Sequence, residues 1–279
     1  MNRRFIENSK NKMIGIFDSG VGGLTVVKEI FKFLPEYQII YFGDTARLPY
    51  GTKGAEFVQK YSAKIVEWLL KKEVKIIVVA CHTSSAWASE SLKKQFQRVP
   101  IFEMISPAIK EALKKTKNKK IGIIGTPGTI KSRAYEKKFL GLDPNLKIYS
   151  KACPLFVPLV EEGWMKKKIT KEIAKEYLKE IKDKKIDALI LACTHYPPLK
   201  IVIRKIIGKK IKIVNPAESL AKELKLFLKN NNKIAVRIKK GRNHQFFFSD
   251  LPYNLKAVSK LCLGKKIKIK LANLDKNEN

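Results

Sequence analysis

Short runs of branched apolar residues alternate along this chain with longer amphipathic stretches. The runs are MIGIF (13 to 17), YQIIYF (37 to 42), VKIIVVA (74 to 80), KIGIIG (120 to 125) and IDALILA (186 to 192), bounded by Gly, Asp or Cys. Between them, at about 22 to 34, 55 to 72, 84 to 97, 107 to 117, 128 to 140 and 171 to 184, apolar residues recur at helical spacing. Strands apolar on both faces and separated by helices predict a mainly parallel sheet covered by helices. In such sheets a ligand sits beyond the carboxyl ends of the strands.

The pattern also repeats itself. IGIFDSGVGGLTV, from Ile14, is echoed by IGIIGTPGTI, from Ile121: a strand, a turn of small and hydroxyl residues, then a helix start. IIVVACHTSSA around Cys81 is echoed by LILACTHYPPL around Cys193. Two motifs recurring at nearly one spacing indicate a duplicated half. If the halves face each other across a pseudo-two-fold axis, each brings a strand-end thiol to a shared cleft.

Composition narrows the setting. At 279 residues the chain is one large or two modest domains, and its 45% of hydrophobic residues suffices for a core. The polar N-terminus MNRRFIENSK does not read as a secretory signal, and no apolar stretch approaches a membrane span of about 20 residues. Four cysteines in so long a chain do not make a disulfide framework, and a start that does not read as an export signal favours reduced thiols in the cytoplasm. The formal charge of +33 would attract nucleic acid, anionic membrane or an acidic metabolite. The lysines are spread over most of the chain, however, and no RNA-binding signature interleaves aromatics with them. A solvated lysine-rich surface is the favoured reading of the charge.

The chemistry lies in the cysteines. A single Cys closing an aliphatic strand is ordinarily buried packing. Two in matched contexts, each followed at once by His or Thr, point instead to function. Zinc is disfavoured, because no C-x-x-C or H-x-x-x-H spacing exists and His244 is remote. A redox pair of Cys81 and Cys193 stays open, without the short dithiol motif of that chemistry. Cys153 and Cys262 read as core thiols. Two opposed thiols suit racemisation: a thiolate on one face takes a proton from a carbon acid while a thiol on the other supplies one. Each needs partners, and His195 for Cys193 and Asp18 for Cys81 are the candidates.

Six segments in order, DSGVGGL (18 to 24), GDTARLPYG (43 to 51), VVACHTSSA (78 to 86), GIIGTPGTI (122 to 130), CPLFVPLVEEG (153 to 163) and ACTHYPPL (192 to 199), resemble the glutamate racemases, from about residue 13 to 262. The resemblance implies cofactor-independent interconversion of L- and D-glutamate, with the D-isomer going to peptidoglycan. It maps the two proton-transferring thiols onto Cys81 and Cys193, an acid near the first onto Asp18, an imidazole near the second onto His195, and an assisting carboxylate onto Glu161. The alternative for Glu161 is a solvated helix residue beside Glu162. Substrate-holding positions fall on Asp18, Ser19, Tyr50, Gly51, Thr83, Thr126, Thr194 and His195, Tyr50 and Gly51 acting largely through backbone. The threonines also suit helix N-caps, and helix N-termini bind carboxylates through the same N–H groups. Gly20, Gly22 and Gly23 are read as serving the turn itself.

One position departs from the family. His82 stands where an Asn is usual, so it is expected at the substrate, where it donates to the ligand, assists Cys81 or narrows the pocket. This bears on substrate size and on the relative acidity of the thiols. The resemblance further implies an α/β fold of two pseudo-symmetric three-layer lobes with mainly parallel sheets and the site in the cleft between them. Lobe 1 is expected to span 1–105 and 215–279, lobe 2 106–214, with Asn215-Pro216 as the recrossing point. A cytoplasmic homodimer acting on a small molecule is expected, with no metal, cofactor, membrane or nucleic acid. The competing readings are an aspartate racemase or related isomerase and, more distantly, a basic nucleic-acid-binding protein.

Overall fold

The architecture was analysed in a computed structural model that describes residues 12–274. The N-terminal stretch expected to lack an export signal, and both ends of the expected lobe 1, lie outside the described residues.

Among the described residues ten strands build two sheets: β1 (Met13–Asp18), β2 (Ile39–Gly43), β3 (Val74–Val79), β4 (Ile101–Glu103), β5 (Lys120–Gly125), β6 (Lys147–Ala152), β7 (Ala188–Ala192), β8 (Lys212–Val214), β9 (Gln245–Phe248) and β10 (Ile269–Leu271). The larger sheet has the order β10-β9-β2-β1-β3-β4, the smaller β6-β5-β7-β8. All ladders between these strands are parallel. The order β2-β1-β3-β4 is thus repeated as β6-β5-β7-β8, and the echoed segments of the sequence occupy matching central strands. This is an α/β fold of two like-ordered sheets.

Each sheet buries both faces because side chains alternate along a strand. In the larger sheet Ile14, Ile16, Ile39, Tyr41, Ile76 and Val78 face helices Leu24–Phe33, Pro216–Asn230 and Leu255–Leu263. Phe17, Ile40, Phe42, Ile77 and Val79 face helices Ala55–Lys71 and Ser89–Gln95. In the smaller sheet Leu189 and Leu191 pack under helices Lys168–Asp183 and Lys200–Ile207, while Ile121, Ile123 and Ile190 pack under Ile105–Lys115 and Ala134–Leu142. At about 1.5–3 kcal/mol per fully buried aliphatic side chain, these four layers dominate the stability.

Two long helical expectations divide. The stretch 84 to 97 forms His82–Trp87 and Ser89–Gln95, and 128 to 140 forms Pro127–Lys131 and Ala134–Leu142, broken at Arg133 with φ 54°. The first short helix of each pair begins just past the carboxyl end of its strand, where Cys81 and Thr126 occupy the N-cap positions.

Candidate active site

Four central strands deliver the site, each through the residues just past its carboxyl end. β1 ends on Asp18, β3 leads through Ala80 to Cys81, β5 leads to Thr126 and β7 to Cys193. The Ala80 N–H donates to Phe17 O at 2.8 Å, holding the Cys81 turn against β1.

Cys81 caps helix His82–Trp87, its sulfur accepting from Ser84 N at 3.4 Å. Ser84 and Ser19 lie beside it and favour its thiolate. Burial, and then the nearby Asp18 carboxylate, push this thiol up to about 11. Asp18 is fully buried; its Oδ2 accepts from Gly23 N at 2.8 Å and from Gly20 N at 3.3 Å. Burial raises the Asp18 pKa, although His195 and the backbone N–H groups pull the other way. Thr194 Oγ1 reaches from the second sheet to both Asp18 oxygens at 3.5 Å, so the two halves meet here.

On the other wall His195 Nε2 lies 3.0 Å from Glu161 Oε1, the last residue of helix Phe156–Glu161. Burial favours the neutral ring, but the Cys193 sulfur and the Glu161 carboxylate outweigh it and push His195 up to about 10. The adjacent Glu162 instead accepts from Tyr253 Oη at 3.1 Å, which separates the roles of the two glutamates. Thr83, Thr126 and Thr129 form a triangle of hydroxyls with sides of 2.9, 3.2 and 2.9 Å between the sheets. Of the threonines weighed as N-caps, Thr126 caps a helix; the cap beside Thr83 is Cys81.

Ser19, Tyr50, Gly51, Cys81, His82, Thr83, Thr126, Glu161, Cys193, Thr194 and His195 all line one cavity of about 30 Å³. That is room for about two waters, so the walls stand close together. Asp18 lies behind the lining, reached through Gly20, Gly23 and Thr194. A larger cavity of about 920 Å³ is lined by lysines and by Cys262 but contains neither Cys81 nor Cys193. Among the described residues all four cysteines are free thiols and no cluster of three or more His, Cys, Asp or Glu is disposed to hold a metal. No helix among them is long and apolar enough to cross a membrane. Cys153 and Cys262 sit inside hydrophobic clusters, where burial raises both thiols.

The glycines of the DSGVGG turn serve it by leaving room rather than by left-handed backbone. None of Gly20, Gly22 and Gly23 has positive φ, whereas a Cβ on Gly23 would fall 2.4 Å from Asp18 Cβ. Asp44 is a residue the sequence reading passed over. Fully buried at the end of β2, it accepts from Tyr50 Oη at 2.6 Å, Ser249 Oγ at 2.7 Å and Arg47 Nη1 at 2.9 Å, and its own N–H donates to Asp18 O at 3.0 Å. It lies inside the GDTARLPYG segment as a second strand-end acid matching Asp18, and that was the available signal.

Parallel sheets of one strand order, each sending a thiol from an equivalent strand end into a common cavity, define a class of amino-acid racemases. The sequence profile of the Asp/Glu/hydantoin racemases matches residues 18–224, and the chain belongs to that family. Within it, the chain is 48% identical to the glutamate racemase of Aquifex pyrophilus over 93% of its own length and 97% of that chain. It is 44% identical to the glutamate racemase of Geobacter metallireducens over 92% of its length and 94% of that chain. The solved glutamate racemase of Francisella tularensis, in complex with D-glutamate, superposes with a TM-score of 0.88 at 37% identity, covering 95% of this chain and 99% of that one.

Proposed function

We propose that this chain racemises glutamate by two-base proton transfer between Cys81 and Cys193 across the cleft. The observation that carries the reading is that the two thiols, one after β3 and one after β7, line one small cavity. One sulfur, as thiolate, takes the α-proton: a C–H bond breaks, an S–H bond forms, and the electron pair passes to a carbanion delocalised into the carboxylate. The other sulfur, as thiol, returns a proton to the opposite face: its S–H bond breaks and the new C–H bond completes the inverted carbon. No oxidant, reductant or cofactor enters this balance.

The surroundings support it. His195, held by Glu161, is placed to stabilise charge at Cys193; Asp18 and Ser19 flank Cys81. The hydroxyls of Thr83, Thr126 and Thr194, with the backbone of Tyr50 and Gly51, hold the amino acid. The closed walls exclude water from the carbanion-like transition state. Because so little space remains between them, the lobes part to admit the substrate, and the division that allows this is 1–105 with 215–279 against 106–214. In the same reading the enzyme is a cytoplasmic homodimer whose D-glutamate goes to peptidoglycan, a placement that rests on family likeness.

The test is incubation of pure protein with L- or D-glutamate in deuterated buffer, followed by circular dichroism and mass. Optical activity decays to zero without added cofactor and deuterium appears at the α-carbon. Cys81→Ala and Cys193→Ala each lose racemisation; near-normal turnover in either, with the fold retained, overturns the two-base scheme.

A further inference from the structure

We infer that His82 is a specificity-determining residue of this site, meeting the bound amino acid with its ring nitrogens and favouring a dicarboxylic substrate shorter than an amide at this position would. The inference rests on the racemase reading above.

His82 opens helix His82–Trp87 between Cys81 and Thr83, and all three line the cavity. The side chain is buried, with 3% of the residue exposed, and neither Nδ1 nor Nε2 has a hydrogen-bond partner. Most of the other polar side chains lining the cavity are engaged. Tyr50 bonds Asp44, Thr83 bonds Thr126, Thr194 reaches Asp18, and Glu161 bonds His195. A buried donor and a buried acceptor left without partners are costly, and a ligand that supplies both partners recovers that cost.

The structure also separates the roles open to this residue. The Cys81 sulfur accepts from Ser84 N and neither ring nitrogen of His82 bonds it, so His82 is not the thiol's acid–base partner. Burial lowers the ring to about 3, with no charged neighbour contributing, so it is neutral across the working pH range. A neutral imidazole offers one N–H and one lone pair. An α-amino dicarboxylic acid brings both complements, carboxylate oxygens and an ammonium. The ring is also larger by two non-hydrogen atoms than an Asn side chain, in a cavity of about 30 Å³. That difference is comparable to the single methylene by which glutamate exceeds aspartate.

The experiment compares His82→Asn and His82→Leu with the unaltered enzyme on glutamate and aspartate. His82→Asn raises the ratio of kcat/KM for glutamate over aspartate by about 10-fold or more, the discrimination that one methylene of room supports. His82→Leu keeps the bulk without the nitrogens and raises KM for both amino acids by about 10-fold while kcat changes less. In parallel, ring ¹⁵N resonances of His82 shift when D-glutamate or D-aspartate is added to the full chain. An unchanged ratio in His82→Asn, a KM within twofold in His82→Leu, or resonances indifferent to both ligands overturns the inference. An enzyme that racemises neither amino acid sinks the racemase reading instead, and the resonance experiment still decides whether His82 meets the ligand.

Discussion

Replacing Gly22 by Ala tests the placement of His195 with the smallest possible change. Gly22 is not among the residues with positive φ, so an Ala backbone fits there without strain. Space is what is missing: an added Cβ would fall 2.5 Å from His195 Cε1, 2.5 Å from His195 Nδ1 and 2.5 Å from Thr194 Oγ1. Ordinary contact begins near 3.5 Å, so ring and hydroxyl must retreat by about 1 Å. That retreat is enough to lengthen the 3.0 Å bond from His195 to Glu161 and the Thr194 contact to Asp18 beyond useful range. A catalytic group displaced by about 1 Å costs about 100-fold in rate, while overpacking costs about 1–3 kcal/mol in stability. The assay is racemisation from each enantiomer, with urea unfolding run alongside. L- and D-glutamate have equal free energy, so kcat/KM must fall equally from either side even though His195 serves only one wall. Gly54→Ala is the control, since nothing lies within 4 Å of its added Cβ. A folded Gly22→Ala enzyme within about threefold of the original rate would refute the claim that the position of this imidazole matters to catalysis.

Two further predictions concern the supports of the site. Glu161→Gln removes one of the partners that, with Cys193, outweigh burial at His195, so the ring's pKa falls from about 10 toward 6.5. Because the folded-state value is the raised one, the stabilisation is complete below about pH 6.5 and lost as pH rises through about 10. Urea midpoints of the two proteins therefore differ most at low pH and converge above 10, with ring NMR reporting the titration directly; parallel profiles would refute it. Asp44→Ala removes the acceptor shared by Tyr50, Arg47 and Ser249, costing on the order of 3 kcal/mol in urea unfolding. It also loosens the Tyr50–Gly51 turn, so KM for glutamate rises more than kcat falls, and an unchanged KM would count against Asp44 as a positioning residue.

The parts of this fold legible in the sequence were those buried on both sides. β1, β3, β5 and β7 read as unbroken branched runs because they are central strands with helices on either face. β6 reads as KIYSKA and β10 as IKL because they are sheet edges, half-wet or wet, where lysines replace the apolar signal. The short β4 and β8, and β9, whose apolar run belongs to a later return of the chain, were missed for want of length and context. The thiols were legible because each closes a run and is followed by hydroxyl and imidazole residues. The bond between His195 and Glu161 was not, since nothing local in either segment specifies a contact between a strand-end turn and a helix end 34 residues away. Nor was the loneliness of His82, which is a property of its surroundings and not of its neighbours in sequence.

The duplication that supplies two thiols does not supply two alike surroundings. At rest one proton lies on Cys81, whose sulfur is buried beside a carboxylate, and another on His195, whose ring sits between Cys193 and Glu161. In the two-base scheme a protonated Cys81 serves the enantiomer whose new hydrogen is delivered from that wall. For the other enantiomer a proton must first leave Cys81, and the neutral His82 beside it is no carrier. Equal free energies of the two substrates forbid this imbalance from appearing in kcat/KM. It must appear instead as kcat and KM that differ between enantiomers by one common factor, which ties the asymmetry of the pocket to a quantity that steady-state kinetics reads directly.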